Sequence, residues 1–298
     1  MDFHNFIDNP RSDRIRTVAG LRGSSGRRRS GRILVEGPQA VRELVNHRPD
    51  FVVDVYLTDE VEERDRELAA ASRRATHYVH NVTPEVARAI SPDCQGVAAV
   101  ATVDALEADA GETWEVLRAR ASQASQSAGA RSPFVVCLPE TQDPGNAGTI
   151  IRSADAMGAA AVILGSGTVD PANPKVIRSS AGSVFHIPIL RLPLETVRAN
   201  LPEGEWPILG TSGHDSDVTL DALAVAALTG ETEEGVGAAL ANPHVWVFGN
   251  EARGLSEGAV AICDLLVEIP LLGDAESLNA AAAAAMCLYT SHLSTTRL

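Results

Sequence analysis

The sequence is poor in aromatic side chains and almost devoid of lysine: Phe, Trp and Tyr make up 4% of 298 residues, and the only lysine is Lys175. A P-loop needs a lysine after its glycines, and no GxxxxGK[ST] occurs, so that nucleotide site is excluded. GxGxxG is absent as well, which argues against a Rossmann dinucleotide site and against glycine-rich turns built on the same geometry. There is no GxSxG and no HExxH, and the eight histidines show no metal-ligand spacing, so no metal is expected. Cysteine is scarce too. Cys94, Cys137, Cys263 and Cys287 form no CxxC, and three of them lie in apolar runs, so buried free thiols are expected rather than disulfides or zinc ligands. The longest apolar run, AAAAAAMCLY at residues 280–289, is too short to cross a bilayer, and the first ten residues carry no apolar leader. A cytoplasmic protein without a membrane partner is expected.

Net charge is −14, which on its own argues against a polyanionic partner. Its distribution does not. Residues 11–32, RSDRIRTVAGLRGSSGRRRSGR, hold eight arginines and one aspartate, a local +7. A short basic segment on an acidic body has the signature of a nucleic-acid arm, with Arg22, Arg27, Arg28, Arg29 and Arg32 as candidate phosphate contacts. A solubilising tail is the competing reading.

Four segments follow from the patterning. Residues 1–32 form the basic arm. Residues 33–103 alternate strand-like runs (RILVEG, VVDVYL, THYVHN, GVAAVATV) with helical ones, which predicts a small α/β domain. Residues 104–132 have a short helical piece around Trp114 to Arg120 and then SQASQSAGARS, a flexible-linker composition. From 133 to 298 continuous apolar runs (PFVVCL, AAVILG, FHIPIL, WPILGT, VWVFG, LLVEIPL) recur, as in strands of a parallel sheet buried on both faces. The last helix is expected to begin at Ser277.

Three of these runs end in unusual loops. The first is DPGNAGTIIRSADAMG, residues 143–158, where Asn146 is a candidate N-cap and Arg152 lies off the apolar stripe of Ile150, Ala154 and Met157. The second is FGNEARGLS, 248–256, and the third IPLLGDAESLN, 269–279. Ligands of open α/β sheets bind beyond the carboxyl ends of the strands, where all three would fall.

Together and in this order, the three loops resemble the motifs of the SpoU (TrmH-like) branch of the SPOUT RNA methyltransferases. The matching positions are Asn146 and Arg152, then Gly249, Glu251 and Gly254, then Ile269, Pro270, Ser277, Leu278 and Asn279. NPKVIRSSAGSVFHIPI, 173–189, is similar to the family's connecting segment, and LVEGPQAVREL to the ribosomal-protein-like domain that often precedes the catalytic one. The layout looks most like the thiostrepton-resistance type.

That resemblance implies an α/β fold: a C-terminal SPOUT domain with a mostly parallel sheet and a trefoil knot, preceded by a small α/β ribosomal-protein-like domain. It implies S-adenosylmethionine as cofactor, held by Leu209, Gly210, Thr211, Ser212, Phe248, Gly249, Asn250, Ile269, Leu271 and Leu278. The implied reaction methylates a ribose 2′-hydroxyl of RNA, with Arg152, Asn146, Glu251, Ser277 and Asn279 at the reacting centre. The implied substrate is 23S rRNA first and tRNA second, and the implied assembly a homodimer joined through the catalytic domain. A non-catalytic RNA-binding protein on the same fold is the competing class.

Overall fold

The computed structural model describes residues 6–126, 132–201, 206–213, 216–229, 239–250 and 253–294. They form two compact units, one of Met1–Glu107 with Asp170–His186, the other of Ala108–Val169 with Ile187–Leu298.

The first unit is built on a mixed five-stranded sheet: β1 (Phe6–Ile7), β2 (Arg32–Glu36), β3 (Val52–Leu57), β4 (Val79–Val82) and β5 (Val97–Thr102), in the spatial order β1-β4-β3-β5-β2. The expected strands are all present, with β1 an addition that pairs parallel to β4. The basic segment is not a loose arm. It folds into helices Asp13–Gly20 and Ser24–Ser30, and Ile15, Val18 and Leu21 enter the same core as Leu34, Tyr56 and Val100. Ser12 caps the first helix by accepting from Ile15 N, and Gly31, at φ 64°, ends the second in the left-handed region glycine tolerates.

The segment 170–186, placed with the C-terminal domain by sequence, packs into this first unit. Three charged contacts account for that. Arg27 is 7% exposed and pairs with Asp170 at 3.0 Å. Arg178 pairs with Glu36, which is 3% exposed, and with Asp93 at 2.7 Å. A carboxylate buried to that degree is costly unless paired and hydrogen-bonded, and Arg178 supplies the partner. Gly182, at φ 89°, lets the segment close on the helix Pro38–His47, because a Cβ there would lie 2.6 Å from Glu43 Cβ.

The second unit holds a seven-stranded sheet of β6 (Phe134–Leu138), β7 (Ala161–Leu164), β8 (Ile189–Arg191), β9 (Ile208–Thr211), β10 (Val218–Thr219), β11 (His244–Val247) and β12 (Leu265–Glu268). The order is β10-β12-β9-β11-β6-β7-β8, and every pairing is parallel. β6, β7 and β11 are buried along their whole length, which is why they read as unbroken apolar runs. The composition after Arg120 suggests a flexible linker, but the helix Ala110–Gln126 extends into its first part, and Trp114 and Leu117 anchor that helix in the second unit's core. The last helix, Ala280–Ser294, packs on helices Pro144–Met157 and Leu220–Thr229. No helix among the described residues is long and apolar enough to cross a membrane. All four thiols are free. Burial pushes those of Cys137 and Cys287 far above their ordinary range, and that of Cys263 to about 12, so they are poor nucleophiles.

Candidate functional site

From β6 the chain runs to β7 and β8 on one side, crosses to β9 and the edge strand β10, returns to β11 beside β6 and ends on β12 between β9 and β10, so the connections leaving β6 and β11 run in opposite directions. Between β6 and β11 the order reverses, and such a switch point opens a crevice at the carboxyl ends of the strands. The strands β12, β11 and β6 lead at that edge into the three loops singled out in the sequence, and β9, between β12 and β11, ends there at Thr211. Adjacency in the sheet therefore gathers stretches that are more than a hundred residues apart.

The loop after β6 enters the helix Pro144–Met157. Asp143, not Asn146, is its N-cap, accepting from Asn146 N at 2.8 Å, and Pro144 takes the first helical position where its missing N–H costs nothing. Asn146 is thus turned to a different task. Its Oδ1 accepts from Nδ2 of Asn279 at 3.0 Å. Asn279 Oδ1 in turn accepts from Ala281 N at 2.9 Å and Ala282 N at 3.3 Å, so Asn279 caps the last helix, which begins at Ala280 rather than at Ser277. Ser277 lies outside the helix and is exposed. Two helix N-termini, each a partial positive charge, therefore meet at the Asn146–Asn279 pair.

Arg152 is exposed and makes no hydrogen bond or ion pair with another described residue. Side chains on a helix lean toward its N-terminus. The positions one and two turns back from Arg152 on its face are Gly148, which is buried, and Gly145, while Thr149 at i−3 is exposed. Glu251 lies outside the described residues.

After β11, Phe248 is buried and stacks on Trp246, ring centroids 5.9 Å apart. Asn250 and Gly254 exchange two backbone hydrogen bonds of 2.8 Å, closing a tight turn, and Asn250 Nδ2 donates to the carbonyl of Glu140 at 3.2 Å. Gly249 must be glycine here: a Cβ would stand 2.4 Å from the carbonyl carbon of Gly254 and 2.6 Å from Leu255 N. The expected contacts on β9 are placed less openly. Leu209 is fully buried, and Gly210 lies under Cys263, Leu255 and Leu266, where a Cβ would approach Cys263 Sγ to 2.7 Å. Both belong to the core of the sheet, leaving Thr211 and Ser212 partly exposed at its edge.

Ile269, Leu271 and Leu278 do come together. They line a cavity of about 580 Å³, with Asp221, Met286 and Tyr289 across from them. The volume falls within the roughly 300–1,000 Å³ of small-molecule sites, and the wall is apolar with a few polar groups, as adenine and thioether groups require. S-adenosylmethionine would fit such a lining, with Ile269, Leu271 and Leu278 available as an apolar wall. Asp143, Asp221, Met286 and Tyr289 were not singled out by sequence. Asp143 could have been, since Asp before Pro is a standing cap signal. The others reach the cavity only because two helices fold over the loop after β12.

Of the candidate RNA contacts, Arg27 is removed from the set. It is buried, donates to the carbonyls of Leu21 at 3.2 Å and Arg22 at 2.9 Å, and holds Asp170. Arg22, Arg28, Arg29 and Arg32 are exposed.

Comparison with known proteins agrees with this geometry. RlmP of Bacillus subtilis (strain 168), a 23S rRNA (guanosine(2553)-2′-O)-methyltransferase, is 39% identical over 155 residues, 52% of this chain and 56% of its own. A Streptomyces viridochromogenes 23S rRNA (uridine(2479)-2′-O)-methyltransferase is 38% identical over 162 residues, so the chain spans about half the length of these two relatives. A protein of Synechocystis described as a tRNA/rRNA methyltransferase is 30% identical over 281 residues, covering 92% of this chain and 89% of its own. Among solved structures, the SpoU methyltransferase AviRb of Streptomyces viridochromogenes in complex with AdoMet aligns with a TM-score of 0.71 and 28% identity, over 94% of this chain and 98% of that one. Residues 133–289, more than half of the sequence and all three loops, match the SpoU rRNA Methylase family, and the chain belongs to that family.

Proposed function

We propose that this protein is an S-adenosylmethionine-dependent RNA methyltransferase acting on a ribose 2′-hydroxyl of 23S rRNA, with tRNA as the alternative substrate. The observation that carries this reading is the Asn146–Asn279 pair, which joins the first and third loops at two helix N-termini, with Asn146 on the same helix as the exposed Arg152. The relatives named for 23S rRNA 2′-O-methylation favour rRNA over tRNA.

S-adenosylmethionine supplies an electrophilic methyl group when bound. The protein has to hold the ribose so that the 2′-oxygen approaches that carbon in line with the bond to sulfur. Positioning of this kind accounts for much of the acceleration in displacement reactions. The paired amides of Asn146 and Asn279 are fixed by each other and by a helix end, so they present rigid donors to a ribose or phosphate oxygen. A guanidinium has no lone pair to accept a proton and is a poor base. Arg152 therefore binds the adjacent phosphate and stabilises negative charge on the attacking oxygen as its proton leaves to water. The new bond joins the 2′-oxygen to the methyl carbon, the carbon–sulfur bond breaks, and the sulfur keeps the electron pair.

The trefoil knot and the ribosomal-protein-like nature of the first unit belong to the same proposal. So does a homodimer through the second unit, supported by exposed Leu272, Met286 and Tyr289, which would set the cavity they line at the dimer seam. Tritium transfer from labelled S-adenosylmethionine to total RNA, followed by mapping of ribose methylation, tests the activity. Absence of transfer from a protein that binds RNA would leave the non-catalytic class instead.

A further inference from the structure

The first unit carries a cluster of metal-ligating side chains that the methyl-transfer reading does not use. Glu43 and His47 are one turn apart on the helix Pro38–His47, and His186 stands at the end of the segment 170–186 that packs against it. Both imidazoles turn Nε2 toward the same carboxylate oxygen. His186 Nε2 is 3.1 Å from Glu43 Oε2, and His47 Nε2 is 3.5 Å from it. The two rings are 4.2 Å apart, centroid to centroid, and the three donor atoms all lie within 4.8 Å of one another.

We propose that Glu43, His47 and His186 bind a divalent transition cation of the zinc type. Zinc–nitrogen and zinc–oxygen bonds of about 2.0–2.1 Å at tetrahedral angles put neighbouring ligand atoms about 3.3 Å apart. Two edges of the cluster, 3.1 and 3.5 Å, already bracket that spacing. Two imidazoles and a carboxylate are a donor set zinc accepts, with the fourth position left to water. The surroundings orient the ligands as an outer shell does. Gln39 Nε2 donates to Glu43 Oε1 at 2.5 Å, leaving Oε2 for the ion, and Arg42 holds Gln39 Oε1 at 3.2 Å. Arg48 Nε donates to the carbonyl of Phe185 at 3.3 Å, tying the His186 segment to the helix end. The glycine at 182 allows the close approach, since a Cβ would meet Glu43 Cγ at 2.7 Å. Spacing along the sequence could not reveal the site, because His186 follows Glu43 by 143 residues.

The ion would fasten the 170–186 segment to the first unit. The test uses the untagged full chain, stripped with chelator and titrated with zinc chloride in a calorimeter, with cobalt absorption as an independent reading of coordination. One equivalent per chain is expected. His47→Ala and His186→Gln should each weaken binding on the order of 100-fold or more, and Gln39→Ala by about 10- to 100-fold, the usual effect of an outer-shell partner. Melting of each variant in chelator establishes that it is folded. Zinc should raise the melting temperature of the wild type and leave that of His47→Ala unchanged. No stoichiometric uptake by the wild type, or uptake that both histidine variants retain, overturns the proposal.

Discussion

Replacing His244 should change how the stability of the second unit depends on pH. His244 opens β11, and its ring is sealed from water between Phe134, which stacks on it at 5.5 Å, and the last helix. Nδ1 lies 2.8 Å from the carbonyl of Asn242, so it carries the proton, and Nε2 lies 2.8 Å from Ser291 Oγ. Trp246 Nε1 donates to that same hydroxyl at 2.7 Å, which leaves its proton for His244 Nε2. The neutral ring is thus satisfied on both sides, while a charged ring would have to displace the serine proton and lose its hydration. Burial is the main cause of a pKa pulled from 6.5 to about 4, with the Asn242 carbonyl working weakly the other way. In unfolded chains the imidazole takes a proton near its ordinary value; in the folded protein it resists until about pH 4. Between those values the unfolded state holds the extra proton, so stability falls as pH falls, by up to about 1.36 kcal/mol per unit. Over the whole window the loss amounts to about 3 kcal/mol, an upper bound. Urea unfolding of wild type and His244→Gln at pH 7 and pH 4.5 isolates this group from the carboxylates that titrate alongside it. His244→Gln should be less stable at pH 7, and its further loss on acidification should be smaller than that of the wild type by about 2 kcal/mol. Equal losses in the two proteins would show that His244 is not held neutral, and the reasoning would fail.

Four further outcomes are expected. Arg152→Ala should lower methyl transfer by roughly two orders of magnitude or more, with S-adenosylmethionine affinity measured by calorimetry nearly unchanged; Arg152→Lys should recover part of the rate, because a point charge replaces the fork. Gly249→Ala should weaken S-adenosylmethionine binding in the same calorimetric assay, since the backbone of Gly254 and Leu255 must move away from the new methyl group. Arg28→Ala with Arg29→Ala should leave the melting temperature in place but flatten the salt dependence of RNA binding by about 0.7 to 0.9 log units for each phosphate no longer neutralised, whereas Arg27→Ala should cost about 1–3 kcal/mol of stability by orphaning two carbonyls. Light scattering should show a dimer for the full chain and a shift toward monomer for Met286→Glu with Tyr289→Glu.

How much of this was legible in the sequence depends on whether the relevant physics is local. The strands of both sheets were readable because a strand buried on both faces must be an unbroken apolar run, as β6, β7 and β11 are. β1 and β10, two residues each, carry too few side chains to show any period. The three loops could be recognised individually, and their order made the family plain, but the joining of Asn146 to Asn279 spans 133 residues and follows only from the sheet order. Within the first loop, local rules asked for a cap and offered Asp143 and Asn146. Pro144 decides between them, since proline suits the first helical position and so makes the residue before it the cap.

The basic segment is the instructive failure. Counting its charge suggested an arm, yet Ile15, Val18 and Leu21 recur at threefold spacing through the same stretch and turn inward against the first unit's core. Charge density alone could not say that Arg27 faces inward while Arg28 and Arg29 face water. The same limit governs 170–186, which reads as part of the C-terminal domain until its long-range pairs are known. Arg178 lies 142 residues from Glu36, and Asp170 lies 143 from Arg27. Each pair brings a charge out of water, so each would be costly if its partner were removed, and together they make the segment's place in the first unit specific rather than merely favourable. The electrostatics of the first unit is therefore of two kinds: arginines consumed in fixing 170–186, and arginines left exposed for a polyanion. Only the second kind would contribute to the salt dependence of the proposed RNA binding.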